Sequence, residues 1–229
     1  ILDTDAKNED AKMSYKSLRT AGYDVRLLNI MDPSESESWN PLQIAMDYAF
    51  DGDWDGANTE LRKFVQIIGG SGGEENLRKD IWDGAAESTI QAITLAVLDI
   101  AVRHQDKSLV TISNVLQFIT DTNKFTSKDG DGLTMYMINL GKLPRTPVRN
   151  MIVLNAAEYL SATGDTKSSI SFSMMNRLNL FASESITRLT SFNTINLTDL
   201  GFPRMLKIKF GSAYAGVHVA IHVFKKGKH

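Results

Sequence analysis

Cysteine is absent, which excludes disulfide scaffolds and thiolate chemistry and is compatible with a reducing cytoplasm. No run of apolar residues approaches the ~20 that a helix needs to span a bilayer. The pattern G-x-x-x-x-G-K-S/T, whose backbone cradles nucleotide phosphates, occurs nowhere. Charge of one sign is also lacking overall: 25 basic against 27 acidic residues leave a formal net charge of −2. A long nucleic-acid footprint would therefore start with little counterion release to drive it. What is present is a hydrophobic content of 42% over 229 residues, enough to bury a substantial core in one large or two modest domains.

The chain opens as a β-α-β pattern. A strand end at residues 1–9 precedes a helix over Asp10–Thr20, and Tyr23, Val25, Leu27 and Leu28 supply a second, β-rich apolar run. Asp32-Pro33 and Asn40-Pro41 then force extended or turn conformations before each proline. A crossover of this kind belongs in a parallel sheet covered by helices.

From Pro41 onward helical spacing takes over. Leu42–Phe50 and Trp54–Ile68 read as helices, with Leu61, Phe64, Val65 and Ile68 on one face of the second. Between them, Asp51-Gly52-Asp53-Trp54-Asp55-Gly56 imitates half of a calcium loop, but Arg62 stands where the loop needs its bidentate glutamate. A capped turn is the better reading. Gly69-Gly70-Ser71-Gly72-Gly73 is a flexible break, of a composition that is also typical of inserted linkers. Asn76–His104 reads as one long amphipathic helix with Trp82 in the core. Leu109–Ile119 is a further helix, 121–132 a polar loop whose Asp129-Gly130-Asp131-Gly132 signals a turn, 133–140 a short helix and 148–162 another. Gly164-Asp165-Thr166-Lys167-Ser168 has a Lys-Ser pair without the glycine spacing of a phosphate loop, and reads as a connector. At the end, Met205–Phe210 and His218–Phe224 alternate around a glycine turn and predict a β-hairpin. His218 and His222 share a face of that strand but lie roughly 13 Å apart, too far to share a metal ion.

Several of these residues resemble one family. Asp5-Ala6-Lys7-Asn8-Glu9, then Gly22-Tyr23-Asp24-Val25 with Leu28-Asn29 and Asp32-Pro33, then Asn40-Pro41-Leu42, are similar to the DPKGE, GY-V-LN, DP and NPL runs of type IV secretion coupling proteins. Ala6 and Asn8 depart from the family's Pro and Gly. Asp80-Ile81-Trp82 with Ala85 resembles a helix of the same family. A second match runs through Thr166-Lys167-Ser168-Ser169-Ile170, Arg177-Leu178, Phe181, Ile186 and Leu189-Thr190-Ser191, and ends on Asn193, Ile195, Leu197, Leu200 and Gly201.

The resemblance implies a membrane-anchored, hexameric, RecA-like ATPase that uses ATP and Mg²⁺ to feed DNA and protein into a conjugative channel from the cytoplasmic side. It implies that this chain is a piece, with the phosphate loop and anchor before Ile1 and the Walker B strand after His229. The expected class is mainly α, a helical bundle flanked by a β-α-β strip of a RecA-like NTPase domain and a C-terminal β-hairpin. The expected organisation is 1–39 as part of the nucleotide-binding domain, 40–201 as the family's all-α domain, and 202–229 as a return or inserted segment. In the family, the all-α domain helps to select relaxase, accessory relaxosome proteins and DNA.

Candidate site residues are few. Asp5, Lys7 and Glu9 stand at a strand end, where ligands of open parallel sheets bind; Glu9 would orient water in the family's ATPase, or Asp5 and Glu9 simply cap the next helix. Lys142, Arg145 and Arg149 flank a helix start and are candidate phosphate contacts. No metal-ligand set is expected. From Asp32 to Glu60 every charged side chain is acidic, whereas 201–229 holds Arg204, Lys207, Lys209, Lys225, Lys226 and Lys228 and no acid. Two functions remain open: a receptor for relaxosome proteins and DNA, or a sequence-independent DNA-binding helical module.

Overall fold

The computed structural model describes residues 9–22, 25–29, 36–69, 81–127 and 130–195. Contacts divide the chain into two compact units, Asn40–Phe192 and Ile1–Trp39 with Asn193–His229. The latter holds α1 (Glu9–Thr20), a helix that its sequence predicts. Residues 25–29, in contrast, do not form the expected strand. The groups that a ladder would use are engaged locally. Glu37 N donates to the Leu27 carbonyl at 2.8 Å, Asn29 N to Ser36 Oγ at 2.7 Å, and Arg26 pairs with Glu37 at 3.1 Å. Where the chain leaves this unit and where it returns are tied together: Ser38 N donates to Thr194 Oγ1 at 2.7 Å, and Thr194 N to Ser38 O at 2.9 Å. Of the strand end expected at 1–9, residues 1–8 lie outside the described residues and Glu9 already belongs to α1; the hairpin expected over 202–229, most of the glycine tract and the Trp82 side chain also lie outside them.

The unit Asn40–Phe192 is built around α4 (Ile81–His104). Every residue from Thr89 to Asp99 is buried, so α4 is surrounded on all sides rather than amphipathic as its spacing predicts. Alanines 85, 86, 92, 96 and 101 let its neighbours approach closely, and its polar groups are satisfied in place. Thr89 and Thr94 donate to the carbonyls of Ala85 and Ile90, and Gln91 Nε2 donates to Asn58 Oδ1 at 2.6 Å. By length and composition, the 22 residues Asp83–His104 suffice to cross a membrane, contrary to the sequence expectation that no run comes near. Burial of 78% of its apolar window identifies it as a core helix instead; Thr89, Gln91 and Thr94 interrupt the run.

Around α4 pack α2 (Gln43–Phe50), α3 (Trp54–Ile68), α5 (Ile112–Lys124), α7 (Pro147–Asn155), α8 (Ala157–Ser161) and α9 (Gly164–Leu178). Asn40 seats the first of these. Its side-chain oxygen accepts from Leu42 N, and its amide donates to the Val110 carbonyl at 2.6 Å, just before Thr111 caps α5. The helix α5 starts later than predicted and runs on through Lys124, absorbing the first part of the expected loop. Two short antiparallel strands follow, β1 (Thr126–Ser127) and β2 (Gly130–Asp131), within the stretch expected to be a polar loop and between limits where no strand is expected. Gly130 permits them: its φ of 127° lies in a region that side-chain-bearing residues avoid. The helix α6 (Gly132–Lys142) begins at once. Residues 148–162 form two helices rather than one, broken at Ala156, and Gly164–Ser168 is the first turn of α9 rather than a connector. The helix α10 (Glu184–Thr190) ends the unit.

Candidate functional site

The candidate nucleotide-proximal residues Asp5 and Lys7 lie outside the described residues, and Glu9 is described only as the first backbone position of α1. Lys167, the one lysine in a Lys-Ser pair that resembles a phosphate loop, is committed elsewhere. Its ammonium bonds Thr134 Oγ1 at 2.8 Å and pairs with Asp131 at 3.3 Å. Lys167 is therefore engaged within the helical unit rather than free to hold a phosphate. This 229-residue chain is expected not to hydrolyse ATP, because phosphoryl transfer depends on positioning and charge stabilisation by a phosphate loop, its lysine and Mg²⁺. A malachite-green assay checks this; turnover abolished by Glu9→Gln would contradict it.

The basic residues Lys142, Arg145 and Arg149 surround the start of α7, where Thr146 is the N-cap. Two of them bond neutral groups close by. Arg149 Nη1 turns back to the Pro144 carbonyl at 2.8 Å, and Lys142 bonds Asn139 at 3.2 Å, leaving Arg145 exposed beside them. The site is a loop held by its own arginine.

The acidic corner is built differently. Gly52, with φ 84°, turns the chain between α2 and α3, and Asp53 caps α3 by accepting from Gly56 N at 2.8 Å. This is the capped turn that the sequence predicts, and no metal-holding cluster occurs among the described residues. Asp47 pairs with Lys107 at 3.0 Å and Glu60 with Lys63 at 2.6 Å. Asp51 and Asp55 are exposed, and neither is in an ion pair among the described residues. Beside them on α2, Ile44 and Tyr48 are 36% and 40% exposed. Sequence reasoning missed this face; the spacing of Ile44, Asp47, Tyr48 and Asp51 along one helical stripe was the signal available.

Two ionic networks hold the helices that frame these surfaces. Arg177 on α9 reaches Asp83 at 2.8 Å and Glu87 at 3.1 Å on α4, and Ser173 Oγ donates to Asp83 at 3.0 Å. Gly69 closes α3 against this group, where a Cβ would overlap the Arg177 and Glu87 side-chain ends. The second network centres on Asp131. It caps α6 through Thr134 N at 2.9 Å, and accepts from Thr134 Oγ1 at 2.8 Å and from the buried Tyr159 hydroxyl at 3.1 Å. Burial works against the Asp131 carboxylate, but the Thr134 bonds and the Lys167 charge together hold its pKa below the usual value. Burial, followed by the Asp131 charge, pushes Tyr159 up to about 12. The Asp131 carboxylate is thus occupied by protein donors. A hollow of about 430 Å³ lined by Phe118, Phe125, Met135 and Tyr136 lies between α5 and α6.

The family model described as type IV secretory system conjugative DNA transfer matches residues 1–207. No curated protein and no solved structure matches the chain. Two residues of the motifs that carry the likeness make contacts inside the helical unit: Asn40 seats α2, and Arg177 ties α9 to α4. With nearly its whole length accounted for by that one model, the chain belongs to the coupling-protein family of conjugative DNA transfer by type IV secretion systems.

Proposed function

We propose that the unit Asn40–Phe192 is a receptor for relaxosome proteins, through which a coupling protein selects the cargo it delivers to the secretion channel. The observation that carries this reading is the charge of its exposed corner: Asp51 and Asp55 stand free on a segment, Asp32 to Glu60, with no basic residue. Carboxylates of this kind repel a phosphate backbone and steer a basic protein face, raising the association rate more than the final affinity. The expected partners are a relaxase or accessory relaxosome proteins with a basic face. In the same reading the protein works as a homohexamer at the cytoplasmic side of the membrane, driven by ATP.

Immobilised chain should retain relaxase or an accessory protein of its own conjugative element from a purified mixture, with excess duplex DNA of unrelated sequence present. Retention of DNA with no relaxosome protein would put the sequence-independent DNA-binding module in its place.

A further inference from the structure

We infer that the outer face of α2, with Tyr48 and Ile44 as apolar anchors inside a ring of Asp47, Asp51 and Asp55, is the docking surface for a basic protein segment that carries an apolar side chain. The inference rests on the receptor reading and says where the binding energy resides.

The helix α2 has two faces. Ala45, Met46 and Ala49 are buried in the core of the unit, whereas Ile44, Asp47, Tyr48 and Asp51 follow one another at helical spacing along the outside. An exposed tyrosine and isoleucine on one stripe expose apolar area that a partner can cover, and tyrosine is among the residues that most often dominate protein interfaces. Charge decides the kind of partner: the groups around the stripe are carboxylates, and Lys107, the cation that reaches it among the described residues, is already paired with Asp47.

Tyr48 is also held in place beforehand. Gly56 occupies the first turn of α3, where alanine would be the better helix former. Its missing Cβ would lie 2.7 Å from Cδ1 of Tyr48 and 2.7 Å from Oδ2 of Asp53. The glycine therefore makes room for the ring, and the turn at Gly52 brings α3 alongside to support it. An aromatic side chain fixed before binding loses little conformational freedom on contact, which favours its use as an anchor.

The test titrates the 229-residue chain with each purified relaxosome protein of the same conjugative element, comparing the unaltered sequence with Tyr48→Ala, Ile44→Ser and the pair Asp51→Lys/Asp55→Lys. Circular dichroism and thermal melting establish that each variant folds; Ile44, Asp51 and Asp55 are exposed, so the test survives if Tyr48→Ala does not fold. Tyr48→Ala and Ile44→Ser are expected to weaken binding by about tenfold, chiefly through faster dissociation. The lysine pair is expected to slow association by about tenfold at low salt and to flatten its salt dependence. If the unaltered chain binds a relaxosome protein and all variants bind it equally well, this surface is wrong while the receptor reading stands. If the unaltered chain binds none, both fail. If the variants change only self-association, the face is a contact between copies and the inference is overturned.

Discussion

Arg177→Ala is expected to destabilise the unit Asn40–Phe192 by ~3–5 kcal/mol, the usual cost of removing one partner from a buried ion pair. The Arg177 side chain is 8% exposed, and Asp83 and Glu87 are 25% and 14% exposed. Its loss leaves two carboxylates facing each other with little water to solvate them. The arginine stem also fills space against α3, where Gly69 leaves room for it. Urea unfolding followed by circular dichroism gives the change in midpoint. Arg177→Met restores volume but not charge, so it should remain strongly destabilised until Asp83→Asn and Glu87→Gln are added, which should recover most of the loss. A change below ~1 kcal/mol for Arg177→Ala would mean that the network behaves as a solvated surface pair.

Asp131→Ala should cost roughly 2–4 kcal/mol, combining a lost N-cap with the unpaired donors of Lys167 and the buried Tyr159. The network also fixes a pH dependence. Asp131 has a depressed folded pKa, so its contribution is present above the unfolded value near 3.8 and disappears as pH falls through the lower folded value. Tyr159 has a folded pKa raised from 10.0 to about 12. Its contribution is therefore complete below pH 10 and is lost as pH rises towards 12. Chemical denaturation across this range should show stability falling at both ends. Asp131→Asn should flatten the acid limb, and Tyr159→Phe the alkaline one. Unchanged limbs in these variants would assign the pH dependence to other groups.

Local chemistry made some elements legible. The helix α3 runs from Trp54 to Ile68 as its spacing predicts, because Asp53 marks its start and Leu61 and Val65 its buried side. The bounds of α5 were not legible: Asp106 and Thr111 offer two successive caps, and the helix takes the second. The strand pair β1–β2 escaped notice because two-residue strands carry no alternation to read. The partnership of Arg177 with Glu87 spans 90 residues, beyond the reach of any local pattern, although Arg177-Leu178 stood out as a family motif. The candidate site shows the same division. The acidic bias of Asp32 to Glu60 was plain in the sequence, but the outer face of α2 was hidden, because the apolar positions of a helix mark its buried side first.

The most direct test of the central claim, that this helical unit receives protein rather than DNA, is a parallel titration of the chain with its relaxosome proteins and with DNA of unrelated sequence over a series of salt concentrations. The account predicts that a relaxosome protein binds at physiological salt with an affinity that changes weakly with salt, and that DNA binds poorly throughout. Tight DNA binding whose logarithm falls steeply and linearly with log salt, together with no binding of any relaxosome protein, would contradict it.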